Sequence, residues 1–190
     1  MPDFTLISAP PLAGYNSSFG DIKLSAPKDL AIVSIALPLG GEDAAKAAIT
    51  SAFGIDLPDT VGTSSPTKDG TASLMRLGAD QAFVVFTSAT PDAERQIAAK
   101  LNGTAYTTDQ TDAWCSLEIS GPGARRALER ICPIDLHPDA FAVGAVARTV
   151  MEHMGAIIAR TGDDSFLLLS ASSSAKSFLH AVELSARNVI

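Results

Sequence analysis

Cysteine is nearly missing: Cys115 and Cys132 are the only two in 190 residues, and neither stands in a CxxC pair or at Cys/His metal-ligand spacing. That argues against a disulfide scaffold and a structural zinc site, and for a reducing compartment. Charge is scarce too, at 18% of residues, below the roughly 25% of an average soluble chain, so part of the surface is neutral or apolar and suited to a partner. Positive charge is the scarcer sign. With 21 acidic and 14 basic residues the formal charge is −7, which repels phosphate backbones and anionic headgroups, so neither a nucleic-acid nor a membrane partner is expected. No apolar run approaches the roughly 20 residues that cross a bilayer. Met1-Pro2-Asp3-Phe4 lacks a basic region, and Pro10 and Pro11 break the stretch that follows, so no secretory signal is read and a cytoplasmic location is expected.

What is present is a duplication. A helix-like run ends in Ile55-Asp56-Leu57-Pro58 and a second in Ile134-Asp135-Leu136-His137-Pro138, an offset of 135 − 56 = 79. Arg76-Leu77-Gly78-Ala79-Asp80 leads into Phe83-Val84-Val85-Phe86, as Arg160-Thr161-Gly162-Asp163-Asp164 leads into Phe166-Leu167-Leu168-Leu169. Two copies at a period near 80 make a pseudo-twofold domain, since solenoid repeats run about 20–50 residues.

Residues 1–27, rich in Pro, Gly and Ser, read as an extended N-terminal arm, flexible or laid against a partner. Residues 28–190 read as one α+β domain of two repeats, about 28–103 and 104–187, each a β-α-β-β-α unit. In the first, Ala31–Leu37 is a strand buried on both faces. Ala45, Ala48, Ile49, Ala52 and Phe53 follow at helical spacing, with Gly54 ending the helix in a left-handed turn. A polar loop spans 59–71, Ser73–Leu77 and Ala82–Phe86 are strands, and a helix capped by Thr90 runs to Gly103. In the second, Trp114–Ile119 alternates, with Cys115, Leu117 and Ile119 on one face. Gly121-Pro122-Gly123 turns into a helix that Cys132-Pro133 stops. Val146–Arg160 and Ser165–Ser170 are strands, and a final helix starting among Ser172, Ser173 and Ser174 buries Ala175, Phe178, Leu179 and Val182.

None of the conspicuous residues forms a recognisable catalytic or ligand set. Gly121-Pro122-Gly123 with Arg125 and Arg126 behind it could hold an anion, yet it matches no phosphate-loop or dinucleotide fingerprint, and a turn with a proline at the first helical position is the simpler reading. Glu152 and His153 would point to opposite faces of a strand. His137 sits in a loop and His180 on the polar side of the last helix, neither with a nucleophile at a telling spacing. In the duplicated Arg-x-Gly-x-Asp turns the glycine is expected to supply a positive φ and the acid to cap the turn. Trp114, the sole tryptophan, reads as core.

The run Thr108-Asp109-Gln110-Thr111-Asp112-Ala113-Trp114, then Ile119–Arg125, then Cys132-Pro133-Ile134-Asp135-Leu136-His137-Pro138, then Ala147-Arg148-Thr149, resembles the gamma subunit of heterotetrameric sarcosine oxidase over roughly residues 104–185. The resemblance implies a non-catalytic chain, with no activity expected of it alone. Its partners would be alpha, beta and delta subunits of an assembly that demethylates sarcosine oxidatively, passes the one-carbon unit to tetrahydrofolate and forms H2O2. FAD, FMN, NAD, zinc and tetrahydrofolate would belong to those other subunits. The implied fold is similar to the folate-binding domain of aminomethyltransferases, and Asp109-x-Thr111 is similar to the Asp-x-Ser of that family, although a shared fold does not confer activity. The alternative is a stand-alone folate-binding or aminomethyltransferase-like protein. No catalytic, cofactor-binding or metal-binding residue is assigned. His137, Arg148, Asp135 and Trp114 are the candidates for partner contact.

Overall fold

Two antiparallel sheets lie face to face, each backed by two helices, so the chain builds four layers. The computed structural model describes residues 9–89 and 91–189. In chain order the elements are β1 (Asn16–Phe19), β2 (Ile22–Ser25), β3 (Leu30–Ala36), α1 (Glu42–Phe53), β4 (Thr63–Pro66), β5 (Ala72–Arg76), β6 (Gln81–Thr87), α2 (Ala93–Leu101), β7 (Tyr106–Asp109), β8 (Trp114–Ser120), α3 (Ala124–Glu129), β9 (Val146–Met151), β10 (Met154–Gly162), β11 (Ser165–Ala171) and α4 (Ala175–Arg187). One sheet is ordered β1-β2-β8-β11-β10-β9 and the other β4-β5-β6-β3-β7.

Three apolar layers follow from this stacking. Ala31, Val33 and Ile35 of β3 point to α1 and α2 and join Ile49, Phe53, Ile97 and Leu101. Cys115, Leu117 and Ile119 of β8 point to α3 and α4 and join Leu128, Phe178 and Val182. Between the sheets, Ile32, Phe83 and Val85 meet Ile157, Leu167 and Leu169. The central strands are apolar on both faces because both are covered, while the period-four spacing of Ala45, Ile49 and Phe53 gives α1 one buried stripe. Gly54 ends α1 at φ 68, its N–H donating to Thr50 O, the left-handed stop that glycine allows without strain.

The two halves exchange a strand. β7 falls at the start of the second repeat in sequence, ahead of its β8-to-α4 unit, but pairs with β3 of the first sheet, from Val33↔Asp109 to Ala36↔Tyr106. β2 precedes the first half but pairs with β8 of the second sheet, from Lys23↔Ser120 to Ser25↔Glu118. Each sheet is therefore completed by a strand lying just ahead of the other half. This corrects the reading of residues 1–27 as an arm: Ile22 and Leu24 are buried core residues and β1 and β2 are integral strands, while residues 1–8 lie outside the described residues. The repeat unit also gains a strand. β4, read as loop, pairs with β5 from Thr63↔Arg76 to Pro66↔Ser73, so each half runs β-α-β-β-β-α.

Local corrections share a cause, turn chemistry that the residue types disguise. The expected strand Val146–Arg160 is two strands, β9 and β10, folded at Glu152 and His153, whose φ values are 46° and 69°. Two consecutive positive φ values make the mirror-image turn that hairpins favour, normally signalled by Asn-Gly. α2 begins at Ala93 after Asp92, and Thr90, its expected cap, lies outside the described residues. Asn102 closes α2 at φ 48.

Where the sheets meet at one side, two glycines cross. Gly62 N–H donates to Arg76 O and Gly144 N–H to Arg160 O, both at 2.8 Å, so the pair is related by the internal twofold. Val146 N–H donates to Gly62 O at 2.8 Å and Ser64 N–H to Gly144 O at 2.6 Å. A Cβ on Gly62 would stand 3.1 Å from Val146 O, and one on Gly144 3.1 Å from Ser64 O. Each glycine admits the other's strand.

Candidate functional site

The duplicated turns are held by their arginines. Arg76 Nη1 donates to Pro58 O at 2.8 Å and Nη2 to Ala79 O at 2.8 Å. Arg160 Nη1 donates to Phe141 O at 2.8 Å, Nη2 to Asp163 O at 2.6 Å and Nε to Gly162 O at 3.2 Å, with the guanidinium 5.9 Å from the Phe166 ring. Gly78 and Gly162 are absent from the positive-φ positions, which corrects the expectation that these glycines supply left-handed geometry. A guanidinium presents donors in a fork and can bind several carbonyls at once, a task that the turn's acid cannot perform.

Gly121-Pro122-Gly123 is a packing device. Gly121 has φ +111, and a Cβ there would meet Asp21 O at 1.9 Å; one on Gly123 would meet Asp21 Oδ1 at 2.6 Å. The β1–β2 turn sits where an anion would have to bind. Gly121 N–H donates to Asp164 O at 2.9 Å. Pro122 precedes the capping Gly123 rather than occupying the first helical position. Arg125 pairs with Glu129 at 3.0 Å, and Arg126 Nη2 reaches Val189 O at 3.4 Å.

The four candidate contact residues fall into two places. Asp135 and His137 share an exposed loop over buried Leu136: His137 N–H donates to Asp135 Oδ1 at 2.9 Å, Asp139 N–H donates to His137 Nδ1 at 3.4 Å, and Asp139 Oδ2 lies 3.5 Å from the same nitrogen. Trp114 and Arg148 meet at Phe83, in the seam between the sheets. The Trp114 ring lies edge-on to Phe83 with centroids 6.0 Å apart, and the Arg148 guanidinium is 5.8 Å from the same ring. Arg148 Nη2 donates to Gln81 Oε1 at 2.9 Å, and Gln81 Nε2 donates to Ser34 Oγ at 3.3 Å. Trp114 Nε1 is buried without a hydrogen-bond partner among the described residues. Phe83 was legible as a strand residue, but its meeting with Trp114 and Arg148, and the part Gln81 plays there, had no signal in the sequence, because only the stacking of the sheets brings residues so far apart in the chain together.

Asp109 and Thr111 serve the backbone. Thr111 N–H donates to Asp109 Oδ1 at 2.8 Å, while Ile32 N–H donates to Thr111 Oγ1 at 3.1 Å, extending the β3 ladder through a side chain. They are thus committed at the position of the Asp-x-Ser that the resemblance implies, and the layer between the sheets is filled by side chains. A surface cleft of about 220 Å³ lies between α1 and α2, lined in part by Phe53, Asp69, Thr71, Gln96 and Lys100. The Thr67 hydroxyl, then the Thr71 backbone and hydroxyl, hold Asp69 at about 2. Burial pushes the Cys115 thiol up. Among the described residues no group of three or more His, Cys, Asp or Glu is placed to hold a metal, and no helix is long and apolar enough to cross a membrane.

Two helix-backed sheets related by an internal twofold define the class, and the chain belongs to the GCVT N-terminal domain family, whose model matches residues 67–184. The glycine cleavage system aminomethyltransferase T from Bartonella henselae shares the fold at TM-score 0.64 and 14% identity, over 88% of this chain and 49% of that one. Within the class the sequence is similar to sarcosine oxidase subunit gamma. The subunit from Corynebacterium sp. (strain P-1) is 32% identical over 134 residues, 70% of this chain and 66% of the relative, so the match spans just under two thirds of that relative's length. A chain of the heterotetrameric sarcosine oxidase from Corynebacterium sp. U-96, solved with pyrrole 2-carboxylate, superposes at TM-score 0.77 and 22% identity, over 88% of this chain and 85% of that one. The gamma-subunit resemblance and the aminomethyltransferase-type α+β fold expected from the sequence both hold.

Proposed function

We propose that this chain is the gamma subunit of a heterotetrameric sarcosine oxidase and carries no chemistry of its own. The observation behind this reading is the 32% identity to a named gamma subunit over 134 residues. The segments that prompted the reading are used for architecture: Leu136 fills core, Asp135 and His137 shape a turn, and Gly121 admits the N-terminal hairpin. Such a subunit acts by presenting rigid surface, and Arg148 suits that role because the Phe83 ring and the Gln81 amide fix its guanidinium while the residue remains exposed. Alpha, beta and delta subunits would be its partners in the cytoplasm and would hold FAD, FMN, NAD, zinc and tetrahydrofolate. The assembly would convert sarcosine to glycine, pass the one-carbon unit to tetrahydrofolate and form H2O2.

Co-expression of the four chains, with and without this one, tests the proposal. Loss of the assembly or of sarcosine oxidation on omission is the expected result; an assembly that forms and turns over equally well without it refutes the reading. The likeness to aminomethyltransferase T favours a second reading, folate binding by the isolated chain. Titration with tetrahydrofolate in a calorimeter should be silent, and micromolar binding would support that second reading instead.

A further inference from the structure

Strand positions related by the internal twofold are filled in both sheets, with one exception. Outside β2 lies β1, paired from Asn16↔Ser25 to Phe19↔Ile22. Outside β7, the counterpart of β2, no strand lies among the described residues. Lys23 stands opposite Ser120 as Tyr106 stands opposite Ala36, so Lys23, Leu24 and Ser25 correspond to Tyr106, Thr107 and Thr108. A strand filling the open position would run antiparallel to β7, as β1 runs to β2. Tyr106 is 69% exposed, and Thr108 and Asp109 are exposed beside it. Gln110 N–H donates to Ile32 O at 2.8 Å; by the alternation of an antiparallel ladder the N–H groups of Thr107 and Asp109 then point away from β3, into the open position. Natural sheets blunt such edges with very short strands, charges (lysine above all), proline or a bulge; β7 is four residues long and carries Asp109, but it has no lysine, proline or bulge.

We propose that β7 is a docking edge that takes an extended, basic segment of a partner polypeptide as the sixth strand of its sheet. The segment would bind through its backbone, with alternate side chains reading the edge. It is basic because the edge is acidic: Asp109 lies on β7, Glu94 of α2 accepts the Thr107 hydroxyl beside it, and the chain carries −7 overall. The same carboxylates disfavour a second copy, whose own Asp109 and Glu94 would be brought to this edge. Taking another subunit as the partner rests on the function proposed above.

The test uses the full chain co-expressed with the alpha, beta and delta subunits, with amide exchange followed at residues 106–109. Exchange at least tenfold slower in the assembly than in the chain alone is expected. Thr108→Lys, and Tyr106→Lys as a second variant, should melt like the wild type and bind the other subunits at least tenfold more weakly. An assembly in which residues 106–109 exchange at the free rate overturns the docking edge and leaves the subunit reading standing. Protection in the chain alone, with a dimer mass in sedimentation, overturns the partner strand in favour of a second copy. Failure to assemble at all overturns the subunit reading and, with it, the proposed source of the strand.

Discussion

At the scale of single residues, Arg160 and Gly121 carry more of the fold than their types suggest. Arg160 is 5% exposed and binds three carbonyls of two loops. Arg160→Ala leaves those carbonyls unpaired and should cost about 3 kcal/mol in denaturant unfolding; Arg76→Ala, at a more exposed turn, should cost about half of that. Gly121→Ala combines a positive φ with a Cβ 1.9 Å from Asp21 O and should cost about 3 kcal/mol, with the β1–β2 hairpin displaced and its amides exchanging faster. The burial of Cys115, Leu117 and Ile119 was legible from alternation alone. The meeting of Trp114 and Arg148 on Phe83 was not, because no local pattern encodes which sheet faces which. The arginine clamps were misassigned for a related reason: turn statistics credit glycine and aspartate, whereas each guanidinium here ties carbonyls of its own turn to a carbonyl of a loop about 18 residues away.

Among the elements, helices and central strands were legible because each is long, apolar and periodic. β1, β2, β4 and β7 were not, since four residues apiece, mostly polar, become strand only through pairing with a neighbour. The β9–β10 turn was hidden because Glu152 and His153 adopt a conformation that Asn-Gly usually marks. Replacing them with Asn and Gly should therefore stabilise the chain by about 1 kcal/mol, read as a rise of about 2–4 °C in melting temperature. A second device ties the hairpin to the last helix: Tyr15 Oη donates to Glu183 Oε1 at 2.5 Å, and Arg187 stacks 5.3 Å from Phe19. Burial, then the Glu183 bond, raises the Tyr15 phenol above its ordinary 10.0. The folded chain thus keeps this proton to higher pH than the unfolded one, so the contribution is complete below about pH 10 and is lost as pH climbs through the raised value. Melting temperature should fall on alkaline titration. Tyr15→Phe should fall less steeply there and be about 1 kcal/mol less stable at neutral pH.

For the molecule as a whole, strand exchange makes the halves inseparable. A chain shortened to begin at residue 28 would lose β1 and β2, remove Ile22 and Leu24 from the core around α3 and α4, and bare the β8 edge. It should be recovered insoluble, whereas the full chain should unfold in one transition with coincident far-UV and near-UV signals. The duplication itself was legible from the Ile-Asp-Leu and Arg-x-Gly-x-Asp landmarks, but the exchange was not, because sequence order assigns β2 and β7 to the wrong halves. The glycine crossing has one further result. Gly62 and Gly144 bind the opening residues of β9 and β4 to each other, and Pro66 offers no donor farther along β4. The sheet ordered β4-β5-β6-β3-β7 therefore has a far edge, at β7, where another strand can enter, and a near edge, at β4, blunted by the other half and by Pro66. A runaway cross-β array needs entry and exit on the same sheet. This chain can be capped by a neighbour without becoming a template for the next.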